Sequence, residues 1–549
     1  MSIPDLLHVL RSHDGAAPAL AMLDGLAEEY RWSYARLLNT AHGFRRVLEA
    51  SGAGAGSTIC VMAGNSPQFI ALFLACVDLG AAFAPLHRDQ SSAVLQDILA
   101  GLDATLVIVD EDVQGAALNS VLRLATRVWR LRLRRTPWLR PVLSGGAHKP
   151  SAYAAAMGEP ASTGGAARAD RVRLGADNAG PCSVGDMADA SAPVLILHSS
   201  GSTGAPKVIL YSRWRLNVFL HWQRRLFDAF PDVPAGCAPS PRVNALPLAH
   251  FGGLSFVLQA LLDGRLVHLP RAIAPREYLV LALQVRCQLL MFVPALYEAL
   301  VDDAIGALPP SALRYCLTMG EAVTPQLIAL VTRTLGVRVF SAYGMSEGLS
   351  GLSHHGDDTP PDSCGRLRFG EAKLVDSDAD AEAGEATEGE LWVRNDTTFP
   401  CYRDDSLNAA KFVDGWYRTG DRFRRDALGH HFFLGRVDAM CVVNGRNLYP
   451  ADVERVFLRH RDVADCMAAI LTLDKGRRRL GVLVCLRADS QASPTTLIDW
   501  YVEHGALHAT PAWLVLGKGI PRNAAGKRDR LAVATILEED YRRCLRKVS

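Results

Sequence analysis

The chain has 549 residues, 49% of them hydrophobic, which is enough to bury more than one core. Its 59 lysines and arginines face 57 aspartates and glutamates, a near balance that leaves no electrostatic footprint for nucleic acid. The 12 cysteines include no Cys-x-x-Cys pair, which argues against a zinc cluster or disulfide framework and for reduced thiols acting as small core hydrophobes.

Met1-Ser2-Ile3-Pro4-Asp5 lacks a charged start followed by an apolar core, so no signal peptide is expected and the expected compartment is the cytoplasm. Apolar runs at Thr58 to Met62, Thr105 to Val109, Val194 to Leu197, Leu289 to Val293 and Val337 to Phe340 predict buried strands. They alternate with helical patterns such as Pro67 to Leu79 and so predict an α/β chain with packed, largely parallel sheets. Phe69 to Leu86 is the most membrane-like stretch, but Asp78 and Gly80 interrupt it, and a buried helix and strand are expected there.

Arg123, Arg127, Arg130 and Arg134 recur at helical spacing beside Leu124, Val128, Trp129 and Leu131, with Arg132, Arg135 and Arg140 nearby. This pattern predicts an amphipathic helix that is either a solvated face or a peripheral contact with an anionic membrane or an acidic carrier protein. From about Gly145 to Ala192 the composition turns to Ala, Gly, Ser and Pro, which predicts an irregular insertion or exposed connection.

Directly after the run at Val194 to Leu197 comes Ser199-Ser200-Gly201-Ser202-Thr203-Gly204-Ala205-Pro206-Lys207. Gly201 and Gly204 let backbone approach phosphate oxygens, the hydroxyls of Ser199, Ser200, Ser202 and Thr203 can donate, and Lys207 adds a positive charge. A Walker loop is excluded, because Pro206 precedes the lysine and Val208 follows it. Further on lie Gly320-Glu321-Ala322, Tyr343-Gly344-Met345-Ser346-Glu347, Tyr417-Arg418-Thr419-Gly420-Asp421, Gly435-Arg436-Val437-Asp438 and Pro521-Arg522-Asn523-Ala524-Ala525-Gly526-Lys527.

In this order the motifs resemble the adenylate-forming superfamily of acyl-CoA synthetases, peptide-synthetase adenylation domains and luciferases. The resemblance implies a large N-terminal domain over 1–435, a hinge at 436–438 with Asp438 as its pivot, and a small mobile α+β domain over 439–549. It implies ATP and Mg²⁺ as cofactors, with the loop ending at Lys207 on the leaving phosphates and Glu347 as the metal ligand. Ser346 is expected at the α-phosphate, Gly320, Glu321, Ala322 and Tyr343 at the adenine, Asp421 on the ribose hydroxyls, and Arg436 on ribose and phosphate. Lys527 is the residue expected to catalyse adenylation, and Gly445 is expected to line the passage of a pantetheine thiol.

Pro247-Leu248-Ala249-His250-Phe251-Gly252-Gly253 resembles the segment that enters the acyl pocket, with His250 as a gate at the carboxylate. Relatives that activate α-amino acids carry an aspartate where this chain has Phe251, so a small-molecule acyl or aryl carboxylic acid without an α-amino group is expected. Transfer of the acyl group to CoA is the leading expectation. Val208 stands where glycine is usual, and Gly445-Arg446-Asn447-Leu448-Tyr449-Pro450 and Ser363-Cys364-Gly365 resemble ligases that load a phosphopantetheinyl carrier protein, but the interval from Glu347 to Ser363 is too short for the insertion typical of that branch, so the acceptor stays open. A non-catalytic scaffold is disfavoured because Lys207, Glu347, Asp421, Arg436 and Lys527 are all present.

Overall fold

The computed structural model describes residues 3–548 apart from 89–91, 115–117, 119–120, 122–127, 132–138, 144–192, 200–206, 229–238, 272, 293–311, 321–324, 354–358, 361, 376–386, 399–400, 438–440, 444–445, 474–476, 506–508 and 524–526. Its largest sheet has seven strands, in the spatial order Leu139–Leu143, Val128–Leu131, Leu106–Asp110, Thr58–Met62, Ala82–Pro85, Leu195–Ser199 and Lys207–Tyr211. Pairings inside the sheet are parallel, and only the two outermost pairs are antiparallel. Ile59 to Met62 and Leu106 to Val109 are buried without alternation, as expected for strands covered on both faces.

The helix Pro67–Leu79 lies in this core, with every residue from Pro67 to Val77 buried. Its ends follow from local chemistry. Ser66 accepts a hydrogen bond from the Phe69 amide, Pro67 supplies a preset φ in the first turn, and Gly80 closes the helix in the left-handed region at φ +73°. Among the described residues no helix is long and apolar enough to cross a membrane.

A parallel sheet of Leu289–Phe292, Tyr315–Met319 and Arg338–Ala342 carries a second α/β layer. An antiparallel sheet is built from Glu371–Val375, Glu388–Arg394, Phe412–Val413, Trp416–Arg425 and His431–Arg436. Toward the C-terminus, Val463–Leu473, Arg477–Leu486 and Trp513–Gly517 form a sheet packed by Pro450–Phe457, Pro494–His504 and Arg530–Val548, with a core that includes Val453, Phe457, Val482 and Tyr501. The molecule is thus a large α/β body followed by a smaller α+β unit.

The arginine-rich segment corrects one expectation. Val128–Leu131 and Leu139–Leu143 are strands rather than a helix face, with Arg130 opposite Arg140 in the antiparallel register. Val128, Trp129 and Leu131 are buried, and completing the sheet beside Leu106–Asp110 outweighs the helical spacing of the arginines. Arg123, Arg127, Arg132, Arg134 and Arg135 lie outside the described residues, as does most of the Gly145–Ala192 stretch.

Candidate active site

Lys207 begins the last strand of the large sheet and stands opposite Ser199 in the antiparallel register, so both ends of the hydroxyl-rich loop are fixed by the sheet. Ser200, Gly201, Ser202, Thr203 and Gly204 lie outside the described residues, and so do Glu321, Ala322, Asp438 and Gly445. Gly320 follows the strand Tyr315–Met319 at φ +89°, a conformation that suits glycine.

Glu347 lies in the turn between the short strands Gly344–Met345 and Gly348–Leu349, with its side chain buried. The turn is tied through its backbone to the strand Lys207–Tyr211 and the helix Arg213–Asp228. Tyr211 donates to the Ser346 carbonyl at 2.8 Å, and Arg215 donates to the Glu347 carbonyl. Gly348 is pressed so closely on its neighbour that a Cβ there would sit 2.6 Å from the Thr397 carbonyl oxygen. The Glu347 carboxylate accepts from the Tyr402 hydroxyl at 2.6 Å, and Tyr402 in turn meets the Tyr417 hydroxyl at 3.1 Å. Burial and the Glu347 charge push the pKa values of both phenols up, so they remain protonated partners of the carboxylate.

Tyr402 was not singled out by the sequence. Its place is set by an antiparallel bridge to Ile209, reinforced by the Leu210 amide donating to the Cys401 carbonyl at 2.7 Å and the Arg403 amide to Val208 at 3.0 Å. One tyrosine therefore links the strand of Lys207, the turn of Glu347 and the Tyr417 motif. No local pattern around Tyr402 announces this role, because all its partners are remote in the chain.

Asp421 and Arg436 face each other across two antiparallel strands, and Arg436 Nη1 donates to Asp421 Oδ1 at 3.1 Å. The Tyr343 hydroxyl donates to the other carboxylate oxygen. Burial first, and the Asp421 charge second, push the Tyr343 hydroxyl well above its ordinary pKa.

On the acyl side, His250 is the N-cap residue of the helix Phe251–Leu262 but makes no capping bond through its side chain. Its ring lies 3.7 Å from that of His87, another residue the sequence did not mark. Phe251 is buried against Phe219 at 4.5 Å and Tyr211 at 4.8 Å. Gly253 meets the preceding turn closely enough that a Cβ would be 2.5 Å from the Pro247 carbonyl oxygen, and a Cβ on Gly252 would lie 3.9 Å from Met319 Sδ. The helix Phe251–Leu262 thus abuts the strand that leads to Gly320.

Lys527 is exposed on a turn in which its amide donates to Asn523 Oδ1 at 3.1 Å and the Asn523 amide donates back to its carbonyl at 2.8 Å. Burial above all, then His87 and then Lys527, push the His250 pKa down to about 3. His250 is therefore neutral through the physiological range and is no proton switch there.

Burial also pushes His198 and His268 down to about 4. Each of these histidines has a folded-state pKa below the ordinary value of about 6.5, so below that pH the unfolded chain binds protons that the folded chain refuses. Stability is expected to fall as the pH drops from about 6.5 to 4, by up to about 1.4 kcal/mol per pH unit for each such group. Thermal midpoints measured from pH 7 to pH 5 check this, and His268→Gln should flatten the slope.

Magnesium suits the donor set. Among the described residues no cluster of three or more His, Cys, Asp or Glu side chains is present, and the single buried carboxylate of Glu347 suits an ion that takes most of its ligands from substrate phosphates and water.

Residues 11–403 match the AMP-binding enzyme family. The chain is 28% identical over 510 residues to anthranilate–CoA ligase of Pseudomonas aeruginosa, covering 88% of each chain. It is 25% identical over 508 residues to sulfoacetate–CoA ligase of Cupriavidus necator, covering 91% of each. The crystal structure of ATP-bound MatB from Rhodopseudomonas palustris shares the fold with a TM-score of 0.78 at 20% identity, over 98% of this chain and 100% of that one. With more than half its length inside the family match, and with full-length relatives that are ligases of this type, the chain belongs to the AMP-binding enzyme family and is an AMP-forming acid–thiol ligase.

Proposed function

We propose that this protein activates an acyl or aryl carboxylic acid lacking an α-amino group, forming an acyl-AMP with release of pyrophosphate, and transfers the acyl group to CoA. The observation that carries this reading is the Asp421 carboxylate bonded by both Arg436 and Tyr343, which joins three motif residues expected at the nucleotide. It is supported by relatives whose names specify CoA ligases acting on anthranilate, sulfoacetate, indoleacetate and long-chain fatty acids.

In the first step a carboxylate oxygen attacks the α-phosphorus and the bond to the β-phosphate oxygen breaks. Asp421 and Tyr343 hold the ribose and adenine end, Arg436 and Ser346 face the α-phosphate, and Lys207 with its loop takes the leaving pyrophosphate. The exposed ammonium of Lys527 bridges the incoming carboxylate and the α-phosphate, where negative charge accumulates in the transition state. When bound at Glu347, Mg²⁺ neutralises phosphate charge. The Tyr402 hydroxyl, itself bonded to Tyr417, fixes the Glu347 carboxylate in place.

In the second step a thiolate attacks the acyl carbonyl and AMP leaves with the bonding electron pair. The proposed division into a body over 1–435, a hinge at 436–438 turning on Asp438, and a small domain over 439–549 would withdraw Lys527 and bring Gly445 to the thiol. The substrate class follows from Phe251. Its ring packs on Tyr211 and Phe219, and with no carboxylate at that position a buried ammonium would be left unpaired.

Incubation with ATP, Mg²⁺ and a panel of fatty, aromatic and amino acids, with and without CoA, tests the reading by mass spectrometry of the products. AMP, pyrophosphate and an acyl-CoA from a fatty or aromatic acid are expected. Turnover of α-amino acids alone would overturn the substrate class. Acyl-AMP that accumulates regardless of CoA would move the acceptor to a carrier protein.

A further inference from the structure

Lys411 ends the helix Asp405–Lys411 and is partly buried beside Thr419-Gly420-Asp421, within the strand Trp416–Arg425. Gly420 holds φ +77°, and a Cβ built there would lie 3.1 Å from Lys411 Nζ and 3.1 Å from Arg436 Nη2. Two cationic heads therefore converge on the same side of one glycine, whose positive φ suits a residue without a side chain.

The carboxylates around this point are engaged elsewhere. Asp421 accepts from Arg436 and Tyr343. Glu390 accepts from the Gly420 amide at 2.9 Å, from Trp392 Nε1 at 3.0 Å and from Arg418 at 3.2 Å. Glu347 accepts from Tyr402. Among the described residues, the hydrogen bond made by the Lys411 ammonium is a long one, 3.3 Å to the Arg418 carbonyl, although an ammonium has three donors to place.

We propose that Lys411 is a third cationic ligand of the ATP phosphates, acting with Lys207 and Arg436. The proposal rests on the reading of Lys207, Asp421 and Arg436 as the nucleotide site. Like charges crowded in a partly buried place are unfavourable until an anion joins them, and a polyphosphate supplies charge and acceptors for all three. Burial first, then the charges of Lys207 and Arg436, lower the pKa of Lys411, while Glu390 and Glu347 act in the opposite sense. The competing role is structural, since a lysine in the last turn of a helix also favours the helix dipole.

The test is calorimetric binding of ATP and of adenosine to the full-length protein, without carboxylate or CoA, at fixed ionic strength. Lys411→Met should weaken ATP at least tenfold while leaving adenosine within about twofold, as expected for the loss of a charged hydrogen bond to phosphate. Lys411→Arg should retain most of the ATP affinity. The log–log dependence of ATP affinity on salt should become shallower in Lys411→Met.

Unchanged ATP affinity in Lys411→Met, or equal losses for ATP and adenosine, would overturn the proposal in favour of the structural role. If Lys411→Met fails to fold, Lys411→Gln provides the same comparison with a polar side chain of similar length. A wild-type protein that binds neither ATP nor adenosine would instead overturn the nucleotide-site reading itself.

Discussion

Replacing Lys527 with alanine is expected to lower the rate of acyl-AMP formation by about 10²- to 10³-fold, the usual cost of removing one donor aimed at developing charge. The thermal midpoint should not move, because Lys527 is exposed and only its backbone is tied into the turn, through Asn523. The defect should be confined to one half-reaction. Supplied with preformed acyl-AMP, the variant should make the CoA thioester at close to the wild-type rate, since the proposed second step proceeds with the lysine withdrawn. Wild-type adenylation by Lys527→Ala, measured as carboxylate-dependent pyrophosphate release, would remove Lys527 from the reaction.

Asp421→Ala is expected to raise the KM for ATP by about 10- to 100-fold, the equivalent of the roughly 1.5–3 kcal/mol carried by hydrogen bonds to a charged group. This variant should also lose stability. The partly buried Tyr343 hydroxyl would lose its acceptor, an effect of about 1 kcal/mol, and Arg436 would stand beside Lys411 without its carboxylate. The KM for the carboxylic acid should change little, because His250 and Phe251 belong to a different element, the start of the helix Phe251–Leu262. Steady-state kinetics varied in each substrate, together with a denaturation midpoint, separate the two effects. An unchanged KM for ATP would exclude Asp421 from the nucleotide site.

Legibility in the sequence followed how local the cause was. Pro67–Leu79 has the ends expected from its residues, because Ser66 caps it and Gly80 stops it. The buried strands Thr58–Met62 and Leu106–Asp110 show as apolar runs because parallel strands covered on both faces need no alternation. The arginines at 123–140 misled because helical spacing on the surface carries no information about a vacant sheet edge, which Val128, Trp129 and Leu131 fill.

Ordered motifs named the chemistry of the candidate site but not its supports. Tyr402 reaches Glu347 only because its segment bridges Ile209, and His87 meets His250 only through the fold. Lys411 has no motif of its own. Only the fold brings its ammonium to Gly420 beside Arg436.

Carboxylate-dependent exchange of labelled pyrophosphate into ATP, measured without CoA, tests the central claim most directly, because exchange requires reversible acyl-AMP formation and nothing later. The account predicts Mg²⁺-dependent exchange with at least one fatty or aromatic acid, and a loss of about 10²- to 10³-fold in Lys527→Ala. Exchange that is undiminished in Lys527→Ala, or that occurs with α-amino acids alone, would contradict it.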